Sequence, residues 1–214
     1  MPLAAELEQV PVLSLETLDA DAFAEAIGTS FRQYGFAMVR DHGMDADLVA
    51  KGWTLARQFF ALPVDAKRAY LVPGGGGQRG YTAFGTEIAK GASENDLKEF
   101  WHVGRDLPEG SPLAESMAPN IWPSEIAEFH ETFSALYAAF DAVGARILSG
   151  VARHLGLAPD WFDDKIAHGN SILRLLHYPP VSAEAPGIRA GAHEDINLIT
   201  LLLGAEEGGL QLLT

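Results

Sequence analysis

Ser171-Ile172-Leu173-Arg174-Leu175-Leu176-His177-Tyr178, closed by Pro179-Pro180, is where the chain changes its period. Upstream of it, Ile126, Phe129, Phe133, Leu136, Phe140, Val143, Ile147 and Val151 recur at spacings of 3 and 4. That is one face of a long helix, expected from a Ser124 cap to about residue 154. From residue 171 onward apolar residues run together or alternate, as in buried strands. The two prolines offer no ladder donor and stop the first strand. Residues 197–203 and 209–213 read as further strands, with 204–208 as a hairpin loop between them. Helices first and strands last make the fold class α+β rather than alternating α/β.

Working toward the N-terminus, residues 99–103 resemble a strand, and the proline-rich stretch 104–123 reads as loop. Gly74 to Gly77 is a flexible loop, and residues 80–90 are irregular or extended. A helix over 46–60 carries Val49, Trp53, Ala56 and Phe60 on one face, and Pro63 separates it from a short helix over 64–70. A helix over 19–34, with Phe23, Ile27 and Phe31 on one face, is stopped by Gly35. Short strands flank it at residues 11–15 and 36–39. No internal repeat is visible.

The 214 residues include 29 acids, 15 bases and no cysteine, for a net charge of −14. Such a surface repels phosphate backbones and anionic lipid, so neither a nucleic-acid nor a membrane partner is expected. Without cysteine there is no disulfide scaffold, thiolate metal site or cysteine nucleophile. Residues 1–8 carry no basic n-region, and no aliphatic run approaches the roughly 18 residues of a membrane span, so a cytoplasmic location is expected.

His193-Glu194-Asp195 is the most informative local feature. In a strand, residues i and i+2 project to the same side, so the imidazole and the carboxylate converge. The pair supplies two members of a 2-His-1-carboxylate facial triad, the open iron(II) site of non-haem oxygenases. A zincin His-Glu-x-x-His is ruled out because Asn197 stands at its fifth position. Gly75 to Gly80 fits G-x-G-x-x-G but neither follows a long strand nor opens a helix, so it reads as loop. There is no P-loop and no G-x-S-x-G elbow. His102, on an aromatic strand, is a further candidate for facing a site, whereas His42, in an Asp-His-Gly turn, reads as structural.

Taken in order, several segments resemble the iron(II)- and 2-oxoglutarate-dependent oxygenases related to isopenicillin N synthase. Val10 to Leu15 is similar to the family's opening strand, and Tyr34-Gly35-Phe36 through His42-Gly43 to its Gly-Phe…His-Gly segment. Phe59-Phe60-Ala61-Leu62-Pro63 through Lys67 resembles the Phe-Phe-x-Leu-Pro…Lys turn, and Gly80-Tyr81 the glycine-tyrosine after it. Asp96-Leu97-Lys98-Glu99 and Asn120-Ile121-Trp122-Pro123 resemble the Asp-x-Lys-Glu strand and Asn-x-Trp-Pro loop. Leu173 to Pro180 resembles the strand ending in Tyr-Pro, and His193 to Leu203 with Gly209-Leu210-Gln211 the His-x-Asp strand pair.

The resemblance implies a helical N-terminal region over residues 1–118. Residues 119–214 would then hold a long helix and the first part of a double-stranded β-helix (jelly roll). It implies iron(II) on His193 and Asp195, with 2-oxoglutarate as cosubstrate contacted by Tyr178. The partners would be O2 and a small-molecule substrate, oxidised as 2-oxoglutarate is oxidatively decarboxylated. The distal histidine ligand and the Arg-x-Ser that grips the cosubstrate's far carboxylate fall beyond position 214 in the family pattern. The jelly roll is therefore expected to be truncated in its second half. The alternative is a catalytically inactive fragment acting as a binding module.

Overall fold

The computed structural model describes residues 10–87, 95–182, 188–204 and 211. Its elements in chain order are β1 (Val12–Ser14), α1 (Ala20–Tyr34), β2 (Met38–Arg40), α2 (Ala46–Phe60), α3 (Val64–Arg68), β3 (Gly80–Thr82), β4 (Glu99–Gly104), α4 (Phe129–His154), α5 (Asp163–Ile166) and β5 (Ile172–His177). A 3-10 turn at Pro112–Glu115 interrupts the loop before α4. The chain is thus mixed helix and sheet. It forms two compact units that interleave along the sequence. Of the described residues, one holds 10–44, 140–167, 199–204 and 211, and the other 45–87, 95–139, 168–182 and 188–198.

In the first unit the Asp19 carboxylate accepts the amides of Asp21 and Ala22 and starts α1. Gly35, at φ 66°, ends it with its amide on the Phe31 carbonyl. β1 and β2 pair in parallel, Leu13 opposite Val39. Leu13, Phe23, Ile27 and Ile147 form the core. α1 and α4 approach closely at two glycines. A Cβ on Gly28 would fall 2.1 Å from the His154 ring, and one on Gly150 would fall 2.7 Å from the Phe23 ring. The 197–203 run does not form a strand. Its alternation survives: Ile199 and Leu201 pack on this core, while Leu202 is exposed. The expected 209–213 strand lies outside the described residues except for Gln211.

In the second unit β3, β4 and β5 form an antiparallel sheet with β4 central, Trp101 opposite both Tyr81 and Leu175. Alternation gives the sheet two faces. Tyr81, Glu99, Trp101, Leu175 and His177 share one, which packs on the helices. Phe59 lies 4.7 Å from Trp101 and 5.8 Å from Tyr81, Trp101 lies 5.5 Å from Phe129, and Phe60 stacks on His177. Phe100, His102, Arg174 and Leu176 share the other face.

Three expectations need correction. α4 starts at Phe129, not at a Ser124 cap. The Tyr70 hydroxyl accepts the Ser124 amide at 2.9 Å and also contacts the Ser124 hydroxyl, and Glu128 turns left-handed at φ 63° just before the helix. The buried face of α2 is Gly52, Leu55, Ala56, Phe59 and Phe60: Ala56 and Phe60 of the predicted stripe are buried as expected, but the face is rotated toward Gly52, Leu55 and Phe59, and Trp53 is exposed. Gly52 decides this rotation, because Leu136 of α4 comes within 2.4 Å of where its Cβ would be. Finally, counting uninterrupted aliphatic runs missed that α4 is long and apolar enough to cross a membrane by composition alone. In the structure Phe129, Phe133, Leu136, Ile147 and Leu148 of that helix are buried inside the protein.

Candidate functional site

Two buried ionic clusters, one on each face of the sheet, set the stage. On the helix-packed face the Lys67 ammonium reaches both Glu99 oxygens at 2.8 Å and the Phe60 carbonyl at 3.1 Å. Glu99 also accepts from the Tyr81 hydroxyl and lies 2.8 Å from His177 Nδ1. Burial alone would raise the Glu99 pKa, but the hydrogen bonds from Lys67, Tyr81 and His177 outweigh it and hold the carboxyl below its usual range. Burial, reinforced by the Glu99 hydrogen bond, pushes the Tyr81 phenol up. The residues singled out by family resemblance as Phe-Phe…Lys, Gly-Tyr and Lys-Glu are therefore one packed assembly.

On the other side the Lys98 ammonium bridges Asp96 at 2.8 Å and Glu87 at 2.7 Å. Burial works against both charges. Lys98 and the Gly191 amide nevertheless keep the Asp96 pKa low, and the two carboxylates keep that of Lys98 high. Asp96 Oδ1 accepts the Gly191 amide at 3.0 Å, and the Leu97 amide donates to the Ile188 carbonyl at 2.8 Å. This pins the backbone entering the His193 segment beside the start of β4.

His193 and Asp195 do not lie in a strand, contrary to the strand geometry expected of them, and their side chains are 56% and 48% exposed. They are brought together all the same: His193 Nε2 is 3.6 Å from Asp195 Oδ1. His193 Nδ1 is 2.8 Å from the Gly191 carbonyl. A carbonyl can only accept, so Nδ1 carries the proton and Nε2 is left bare in the neutral ring. Two electron-rich atoms then face each other at a spacing that a cation can bridge. Two donors at right angles, each roughly 2.1 Å from one ion, would sit about 3 Å apart. The Nδ1 hydrogen bond is the outer contact that fixes a ligating histidine's tautomer. The donor set, one imidazole and one carboxylate, suits iron(II). Among the described residues no group of three such side chains is arranged to hold a metal.

Tyr178 is half-buried and follows β5 by one residue. Strand alternation from Arg174 and Leu176 carries it to their face of the sheet. A hollow of about 510 Å³ lies along β3, lined by Arg68, Leu71, Val72, Tyr81, Thr82 and Thr86. Neither His193 nor Asp195 lines it, so volume does not mark the site and the donor pair does. His42 is structural, as expected, its Nδ1 accepting the Met44 amide at 3.1 Å. His102 is buried, against Arg174. Sequence reasoning missed Glu87, Arg174 and the roles of Asp96 and Lys98. The available signal was a run of charges entering an otherwise aromatic strand.

Residues 10–125 match the family described as non-haem dioxygenase in morphine synthesis N-terminal. The 2-oxoglutarate-dependent dioxygenase ucsF of Acremonium sp is 32% identical over 225 residues, covering 94% of this chain and 66% of its own length. Validamycin A dioxygenase of Streptomyces hygroscopicus subsp. limoneus is 31% identical over 90% of this chain and 57% of its own. Among solved structures, a 2OG-Fe(II) oxygenase family protein from Caulobacter crescentus superposes with a TM-score of 0.80 at 45% identity, covering 88% of this chain and 62% of its own. JOX2, solved in complex with 2OG, Fe and JA, gives a TM-score of 0.63 at 27% identity, covering 80% of this chain and 48% of its own. The chain spans less than two thirds of the length of each. With more than half of its residues matched to the family and these relatives in agreement, the chain belongs to the non-haem, 2-oxoglutarate-dependent iron(II) oxygenases.

Proposed function

We propose that the protein is an iron(II)- and 2-oxoglutarate-dependent oxygenase that oxidises a small-molecule substrate with O2. The observation that carries this is the convergence of His193 Nε2 and Asp195 Oδ1 to 3.6 Å, with the histidine tautomer set by Gly191. In this reading His193 and Asp195 hold the metal. Iron(II) so held, together with 2-oxoglutarate, supplies oxidative decarboxylation of the cosubstrate coupled to oxidation of a second molecule. His193 offers its bare Nε2, Asp195 a carboxylate, and Asp96 anchors the backbone that presents them. Tyr178 contacts the cosubstrate. The three-stranded sheet and the 188–204 segment are the first part of a jelly roll, with residues 1–118 as the N-terminal region and 119–214 beginning the oxygenase core. The third ligand and the cosubstrate arginine belong to the part of the relatives' length that this chain does not span.

Anaerobic iron(II) titration followed by succinate detection tests the reading. In the chain continued through the portion its relatives possess, iron binds and 2-oxoglutarate turnover is coupled to oxygen uptake. The 214-residue chain alone binds iron weakly, with two ligands. His193→Ala and Asp195→Ala each abolish binding and turnover in the longer protein. Unchanged iron affinity in both variants refutes the assignment.

A further inference from the structure

Lys67 and Arg68 are consecutive cations in the last turn of α3, and they meet different surroundings. Lys67 turns inward to Glu99. Arg68 lines the hollow of about 510 Å³ beside β3, together with Leu71, Val72 and Thr82. Among the described residues its guanidinium has neither a carboxylate partner nor a hydrogen-bond acceptor. An unpaired arginine is ordinary on a surface, but this hollow holds a second unpaired group. The Thr82 hydroxyl oxygen is buried and has no hydrogen-bond partner. Buried hydroxyls in folded proteins are nearly always paired, and an exception calls for an explanation. The apolar wall is open as well, since Leu71 keeps 42% of its surface in water.

The backbone that shapes the hollow is held on three sides. The Tyr81 amide donates to the Tyr70 carbonyl at 3.1 Å, tying β3 to the chain that leaves α3. The Gly77 carbonyl is held by His102 Nδ1, and the Thr86 hydroxyl is engaged by the Ala83 carbonyl at 2.7 Å. Gly77, at φ 71°, matters for a further reason: a Cβ there would come within 3.2 Å of Thr82 Oγ1 and crowd the one free hydroxyl. A formed, mainly apolar hollow of this volume, with few polar groups, is the usual shape of a small-molecule site. Its chemistry narrows the occupant. Leucine, valine and alanine ask for an apolar body. The guanidinium fork matches a carboxylate with two parallel hydrogen bonds. One cation balances one negative charge, and a chain of net charge −14 disfavours a dianion such as a phosphate ester.

We propose that the hollow beside β3 binds an apolar monocarboxylic acid. Arg68 receives the carboxylate, Leu71, Val72 and Ala83 cover the apolar body, and the Thr82 hydroxyl donates to the bound molecule. Neither His193 nor Asp195 lines this hollow. The inference therefore goes beyond the oxygenase reading and does not depend on iron.

The test is titration of the metal-free 214-residue chain, followed by calorimetry, with three probes. These are 4-phenylbutanoate, butanoate (the charge without the ring) and 4-phenylbutan-1-ol (the ring without the charge). The phenyl acid should bind saturably and about tenfold or more tightly than either of the others. Arg68→Gln should weaken the phenyl acid by about tenfold and leave the alcohol unchanged, and Arg68→Lys should recover part of the loss. Leu71→Ser should weaken the acid and the alcohol alike. Arg68 and Leu71 are both exposed, so these variants should keep the thermal midpoint of the unaltered chain. Thr82→Val keeps the side-chain shape and removes the unpaired hydroxyl. It should weaken the acid without lowering the thermal midpoint, whereas a lowered midpoint with unchanged affinity would make the hydroxyl structural and overturn its role. Equal affinity of the phenyl acid for Arg68→Gln and the unaltered chain, or no saturable binding to the unaltered chain, overturns the proposal. His193→Ala should leave the affinity for the phenyl acid unchanged; a loss there would put the acid at the metal pair and overturn the proposal as well. No iron is present, so this experiment and the iron titration of His193 and Asp195 fail independently.

Discussion

His102 gives the chain a specific acid sensitivity that can be worked out from its surroundings. In the folded protein its pKa falls from an ordinary 6.5 to about 4, chiefly through burial and secondarily through Arg174. The folded state prefers the neutral ring. The contribution is therefore complete above pH 6.5 and is lost as pH falls toward 4, because the unfolded chain takes up a proton that the folded chain refuses. At pH 4.5 nearly every unfolded molecule is protonated at this site, but only roughly a quarter of folded ones are. That difference amounts to about 2.5 kcal/mol. Urea unfolding at pH 7 and pH 4.5, for the unaltered chain and His102→Gln, isolates the effect. The buried carboxylates Asp96 and Glu99 also weaken the protein in acid, but they do so in both chains and cancel in the difference. The unaltered chain should lose about 2.5 kcal/mol more than the variant. The His102 Cε1 proton, followed by NMR, should titrate near pH 4. A midpoint near 6.5, or identical acid losses in the two chains, would refute the reasoning.

Lys67→Met leaves Glu99 buried without its cation and should cost roughly 3–5 kcal/mol in urea unfolding. The double variant Lys67→Met/Glu99→Gln should regain part of that loss. Gly80 holds φ 70°, and a Cβ there would stand 2.5 Å from Ile121 Cδ1 and 2.7 Å from the Tyr70 carbonyl. Gly80→Ala should therefore lower stability by about 1–3 kcal/mol, visible as a reduced thermal midpoint. The Asn120 amide pairs with both the amide and carbonyl of Gly104, at 2.8 and 2.9 Å, like one more strand residue. Asn120→Ala should cost about 1–3 kcal/mol and speed hydrogen exchange at the end of β4.

What could be read from the sequence was what is local. Asp19 and Gly35 bound α1 where punctuation predicts, and Pro179 follows β5 where a missing donor predicts. The errors arose where a distant partner decides. Ser124 has the chemistry of a cap, but Tyr70, far away in sequence, takes its amide. Trp53 fits an apolar stripe as well as Leu55 does, and only the close approach of Leu136 to Gly52 chooses between them. The 197–203 run alternates like a strand, yet it is not a strand in the structure, because alternation alone does not set the ladder geometry that defines one. The spacing of His193 and Asp195 was legible because two residues suffice to express it. The chain of contacts from Glu87 through Lys98 and Asp96 to Gly191 was not, because it joins segments that only the fold brings together.

That register has its own explanation in the charges at the start of β4. Glu99, Trp101 and Val103 face the helices, and Phe100 and His102 face the opposite way. Lys98 and Glu99 are neighbours of opposite sign that find their partners on opposite faces: Glu99 meets Lys67, and Lys98 meets Asp96 and Glu87. Slipping the strand by one residue would turn every side chain to the other face. It would carry Lys98 toward Lys67 and Glu99 toward the two carboxylates, burying like charges together on both sides. A purely apolar strand of the same shape would lose only packing on slipping, whereas this one would meet uncompensated buried charge, worth several kcal/mol per ion. The Asp-x-Lys-Glu sequence thus fixes β4 in one register. With it are fixed the position of Asp96 under Gly191, on which the proposed metal site depends, and the pairing of His102 with Arg174.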